Sequence, residues 1–81
     1  MLFDAFKRAN DLGADVLLWG RTRDPLVQVV LLRGPDPKHQ GFIAYCFDVS
    51  DGGFYNGTPC GNFADGQAAF LDKLNRLGAC H

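Results

Sequence analysis

Apolar residues recur along this chain in two different periods. Over residues 2–12, Leu2, Phe3, Phe6 and Ala9 fall on one side of a short helix, and Gly13 stops it. Residues 16–19 read Val-Leu-Leu-Trp and predict a first strand. The Arg23-Asp24-Pro25 turn follows, in which Pro25 has no N–H to give to a ladder. Residues 26–33, rich in Val and Leu, form the clearest strand. A stiff loop from Gly34 to Gly41, with two prolines, leads to a strand over residues 42–48. Ser50-Asp51-Gly52-Gly53 is a strong hairpin signal, and residues 54–58 supply the strand beyond it. Phe63, Gln67, Phe70, Leu71, Leu74 and Leu77 then recur at helical spacing. Asn62 is placed to cap that helix, Asp65 favours its dipole in the first turn, and Gly78 ends it.

Helix, four strands, helix, all joined by short connections, predict a single α+β domain over residues 1–81. The expected architecture is a two-layer sandwich: an antiparallel three- to four-stranded sheet with an N-terminal and a C-terminal helix. The strands carry one anomaly. In the third, Ile43, Tyr45 and Phe47 oppose Phe42, Ala44 and Cys46. In the second, Val27, Val29 and Leu31 oppose Leu26, Val30 and Leu32, with Gln28 the one polar residue on that side. A sheet with one covered face shows a polar second face, and this one does not. Either the helices cover opposite faces, or one face is buried against another molecule, a second copy of the chain included.

Composition narrows the function classes. The 81 residues carry 8 Lys+Arg against 9 Asp+Glu, a formal net charge of −1, too little basic excess for a generic phosphate-backbone binder. Asp4 interrupts the apolar N-terminus, so no secretory signal is expected there, and no apolar run is long enough to span a bilayer. Cys46, Cys60 and Cys80 are an odd number and suit a reducing, cytoplasmic setting. Catalysis by Cys60 would need His39 or His81 as its base, and no paired cysteine spacing points to zinc. The glycines around Phe54 and Tyr55 lie in a hairpin, without the Lys-Ser or Lys-Thr of a phosphate loop. Trp19 continues an apolar run and reads as core. A non-enzymatic protein without cofactor or metal is the expectation.

Two resemblances give that expectation content. Gly34-Pro35-Asp36, then His39 and Phe42, between two strands and ahead of a third strand and a long helix, resembles the double-stranded-RNA-binding domain. That family has a helix, three strands and a helix, and reads A-form RNA by shape and phosphate contacts. Its lysine cluster at the start of the last helix is replaced here by residues 62–67, which contain Asp65 and no lysine. An RNA grip would fall to Arg21, Arg23, Arg33 and Lys38. The charge distribution points elsewhere. From His39 through Asp72 there is no Lys or Arg, while Asp48, Asp51, Asp65 and Asp72 all lie there. In size, charge balance and layout the chain resembles the small phage and mobile-element inhibitors called anti-CRISPRs. That resemblance implies a protein that docks an acidic surface on a basic nucleic-acid-handling complex such as a CRISPR effector. Asp48, Asp51, Asp65 and Asp72 would supply the charge, and Phe54 and Tyr55 the anchors beside it.

Overall fold

A computed structural model describes residues 2–34 and 41–78. The loop at residues 35–40, with Lys38 and His39, and residues 79–81, with Cys80 and His81, lie outside that description. The chain runs α1 (Ala5–Asp11), β1 (Asp15–Arg21), β2 (Val27–Arg33), β3 (Phe42–Asp48), β4 (Gly53–Cys60) and α2 (Phe63–Arg76). The four strands form one antiparallel sheet in the order β1-β2-β3-β4. The α+β fold with a helix at each end is therefore as expected.

The two helices divide between the faces of the sheet. Ala5 and Ala9 of α1 pack with Val30, Leu32, Phe47 and Val49, whereas Phe70 of α2 packs with Val29, Leu31 and Ala44. Adjacent residues of β2 thus feed two separate cores, which is why that strand has no polar face. The layers are helix, sheet, helix, three where two were expected. Coverage by helices on opposite faces accounts for the apolar second face.

Caps set the helix ends. The Asp4 carboxylate accepts from the N–H groups of Phe6 and Lys7 at 2.8 and 3.4 Å, so α1 starts at Ala5, three residues after the apolar run begins. Asn62 accepts from the Asp65 N–H at 2.8 Å and starts α2, and Gly78 follows its end at φ 75°. The inward side of α1 is also different from the expected one. Ala5 and Ala9 are buried, and their small side chains let the helix lie close on the sheet. Leu2, Phe3 and Phe6 are displaced to the rim.

Both edge strands are irregular. In β1, Val16 pairs with Leu32 and Leu18 with Leu31, which leaves Leu17 as an extra residue. In β4, Thr58 pairs with Ala44 and Tyr55 with Cys46, so Asn56 and Gly57 together oppose Tyr45. Such bulges twist an edge away from further strand pairing. The two ends of the sheet carry different groups. The turn at residues 22–26, the turn at residues 49–52 and the start of α1 share one end, where the Val49 N–H donates to Leu26 and the Phe3 N–H to Val49. Cys60, Phe42 and the start of α2 lie at the other.

Candidate protein-docking site

The turn between β3 and β4 holds the first two acids of the predicted surface, and the chain fixes both. The Asp48 carboxylate accepts from the Ser50 N–H at 2.8 Å and from the Ser50 hydroxyl. One Asp51 oxygen accepts from the Gly53 N–H at 2.7 Å, and the other accepts from the Tyr55 hydroxyl. Asp at such positions closes a turn with its own backbone, and Gly52 supplies the positive φ of 73°. The bonds shift both groups. The Ser50 hydroxyl, then the Ser50 N–H, hold the Asp48 carboxyl below its ordinary value of 3.8. The bond to Asp51 pushes the Tyr55 phenol above 10.0, because ionising it would set two negative groups face to face.

The other predicted residues divide. Tyr55 is exposed beside Asp51, whereas Phe54 is half-buried and packs on Phe47 and Tyr45, with ring centroids 4.9 and 5.5 Å away. Asp65 lies in the first turn of α2, at the opposite end of the sheet. Six strand positions, about 20 Å at about 3.3 Å each, separate the two ends of the β3–β4 ladder. Asp72 sits on the outer side of α2 in an ion pair with Arg76 at 3.1 Å. Asp48, Asp51 and Tyr55 form one site, and Asp65 is not part of it.

Sequence reading missed the neighbours of that turn. The Arg8 Nε–H of α1 donates to the Gly52 carbonyl at 3.1 Å, and the guanidinium stands over the Phe3 ring at 5.6 Å. Phe3 leans against Gly52 so closely that a Cβ there would meet its ring at 2.8 Å. From Phe3 an apolar strip continues across the face of the sheet. Phe3, Phe6 and Trp19 line a shallow cavity of about 270 Å³ with Asp4, Ala5 and Gln28. Phe6 and Trp19 have ring centroids 6.1 Å apart, Trp19 donates its Nε1–H to Gln28 at 3.0 Å, and Arg21 stands over the indole at 5.6 Å. Leu2 is 67% exposed, Phe6 52%, Phe3 40% and Trp19 37%. The expectation of a core Trp19 fails: its ring packs on Phe6 at the rim of the α1 face and stays exposed.

The basic residues are also split. Arg21, the last residue of β1, and Arg23, in the turn after it, flank Thr22 and line a second hollow of about 320 Å³, whereas Arg33 ends β2 opposite Asp15, at the far end of the sheet. The sheet has four strands, one more than the RNA-binding resemblance implies. Cys46 and Cys60 are half-buried free thiols, and the two histidines offered as bases lie outside the described residues. Among the described residues, no group of three or more His, Cys, Asp or Glu could hold a metal, and no helix is long and apolar enough to cross a membrane. Family profiles, known proteins and solved structures provide no match to this chain.

Proposed function

We propose that this chain is a non-enzymatic protein-binding inhibitor. It docks the Asp48–Asp51 turn, with Tyr55 and Phe3 beside it, on a basic surface of a nucleic-acid-handling complex such as a CRISPR effector, in a cytoplasmic setting. The observation that carries this reading is the junction of charge and aromatic surface. The turn that holds two carboxylates by its own bonds meets exposed Phe3 at Gly52, and Phe3 shares a shallow cavity with Phe6 and Trp19. Contiguous apolar surface with charge at its rim is the usual composition of a protein interface, and aromatic and Arg side chains supply most of its energy. Carboxylates already fixed by backbone bonds lose little freedom on docking.

The test is binding to a panel of purified CRISPR effector complexes and inhibition of their nuclease activity. The variant Asp48→Asn with Asp51→Asn keeps an acceptor oxygen for the Ser50 and Gly53 N–H groups, gives up the Tyr55 hydroxyl bond to Asp51, and removes both charges. It should weaken binding by about tenfold or more, chiefly through the association rate, and added salt should weaken the wild type in parallel. Binding unaffected by the double change, or no binding across the panel, overturns the reading. A duplex-RNA mobility shift that Arg21→Ala with Arg23→Ala abolishes would favour the RNA-binding alternative instead.

A further inference from the structure

We infer that the cavity at the start of α1 is a site for a quaternary ammonium ion, the trimethylammonium group of a small molecule of the choline type. Phe3 serves this site and the proposed docking alike, but the site does not depend on the docking. Three aromatic rings, those of Phe3, Phe6 and Trp19, line its 270 Å³ together with Asp4, Ala5 and Gln28. Aromatic faces carry partial negative charge, and several of them around one space recognise trimethylammonium groups. Asp4 is the one charged residue in that lining. As the cap of α1 it accepts from the Phe6 and Lys7 N–H groups, and both bonds end on Oδ1. The carboxylate thus stands charged at the cavity wall, with Oδ2 taking no part in the cap. The same rings already attract cations: Arg8 stands over Phe3 and Arg21 over Trp19, each 5.6 Å from the ring centroid. Neither arginine lines the cavity, so neither guanidinium occupies it.

The lining selects the kind of ligand. An anion would meet the Asp4 carboxylate and the ring faces, all of the wrong sign. A primary ammonium has three N–H donors, and it gives up water only where acceptors replace it. The lining side chains offer the Asp4 carboxylate and Gln28, whose Oε1 already accepts from the Trp19 Nε1–H at 3.0 Å. A quaternary ammonium has no N–H to satisfy and presents only methyl groups to the rings, so this lining suits it best. The volume lies just under the ~300–1,000 Å³ of ordinary ligand pockets, which gives room for a head group and not for a nucleotide. The rings are held before any ligand arrives. Gln28 fixes Trp19, the Phe3 N–H donates to the Val49 carbonyl at 2.8 Å, and Phe6 follows the Asp4 cap in α1. Little side-chain ordering is left for binding to supply.

Trp19 is the only tryptophan of the chain, so its fluorescence reports on the cavity directly. Titration with choline chloride, against sodium chloride at equal ionic strength, should give a saturable change with a Kd of about 1 mM or tighter. The neutral isostere of choline, with a tert-butyl group in place of trimethylammonium, should bind about tenfold more weakly or worse. Asp4→Asn keeps a capping oxygen for α1 and removes the charge, and should weaken choline binding by about fivefold or more. Phe6→Ala changes an exposed side chain, so circular dichroism should hold while binding is lost. A fluorescence response that matches sodium chloride overturns the inference. So does an isostere that binds as well as choline, or a choline affinity that either variant leaves unchanged. A peptide bearing trimethyllysine that binds about tenfold more tightly than choline would overturn the small-molecule source and assign the same group to a protein tail.

Discussion

Tyr55 and Asp48 show how single bonds set the pH response of the turn. The Tyr55 phenol is raised above 10.0 by its bond to Asp51, so its contribution to stability is complete below that value and is lost as pH rises through the folded one. The Asp48 carboxyl is lowered, so its contribution holds above 3.8 and is lost as pH falls through the folded value. In a phenolate-absorbance titration, Tyr55→Phe should remove a late step, and Asp51→Asn should bring that step back toward 10.0. A wild type with no ionisation above the ordinary tyrosine range would refute the bond's role. The Asp51-Gly52 pair was legible in the sequence as turn chemistry. The bond from Tyr55 was not, since nothing in the spacing says that the side chain folds back along the strand. Arg8 was less legible still, because its partner Gly52 is 44 positions away and no pattern links them.

Among the elements, β4 departs furthest from its sequence reading. Gly57 and Pro59 predict that the strand ends near Thr58, yet it continues to Cys60. Two local devices allow this. Asn56 takes a φ of +55°, a conformation Asn tolerates better than most residues, and absorbs the extra position of the bulge. Gly57 then leaves room for the Tyr45 ring, which a Cβ there would meet at 2.5 Å. Pro59 is harmless because β4 is the outer strand. Asn56→Gly should therefore be neutral or slightly stabilising, and Asn56→Val should cost about 1–2 kcal/mol in urea unfolding, since a β-branched residue resists positive φ. Equal midpoints for the two variants would contradict the bulge. The strands β2 and β3 were legible almost to the residue, because each carries an apolar run, broken in β2 only by Gln28, bounded by Pro, Gly or Asp. The start of α1 was not, because Leu2 and Phe3 extend the apolar pattern past the Asp4 cap.

The whole molecule rests on two small cores separated by one sheet, so each helix secures its own face. Phe70 is 6% exposed and is the one large side chain of α2 buried against Val29, Leu31 and Ala44. Phe70→Ala should cost about 3–5 kcal/mol, a large part of the stability of a domain this size. A loss below about 1 kcal/mol would mean that α2 contributes little to holding the sheet. At this scale the sequence showed that both faces are apolar but not which end of the chain covers which. It grouped Asp65 with Asp48 and Asp51, because a charge count along a chain does not report that a strand's length intervenes.

The strand order carries a consequence for how the chain folds. Each strand pairs only with its neighbours in sequence, so the sheet can assemble hairpin by hairpin, with short loops to close and a modest entropic barrier. The helix α2 is different. It leaves β4 and crosses the whole sheet to β1, where Leu74 and Phe70 lie over Gly20 and the Gly78 carbonyl accepts from the Arg23 N–H at 2.7 Å. That crossing joins the last part of the chain to the first corner of the sheet, and it can form only after the strands between them are in place. In stopped-flow measurements Phe70→Ala should therefore speed unfolding while leaving the refolding rate nearly unchanged. The C-terminal helix then acts as the latch on a sheet that is already built, and sets the lifetime of the folded state more than the time needed to reach it.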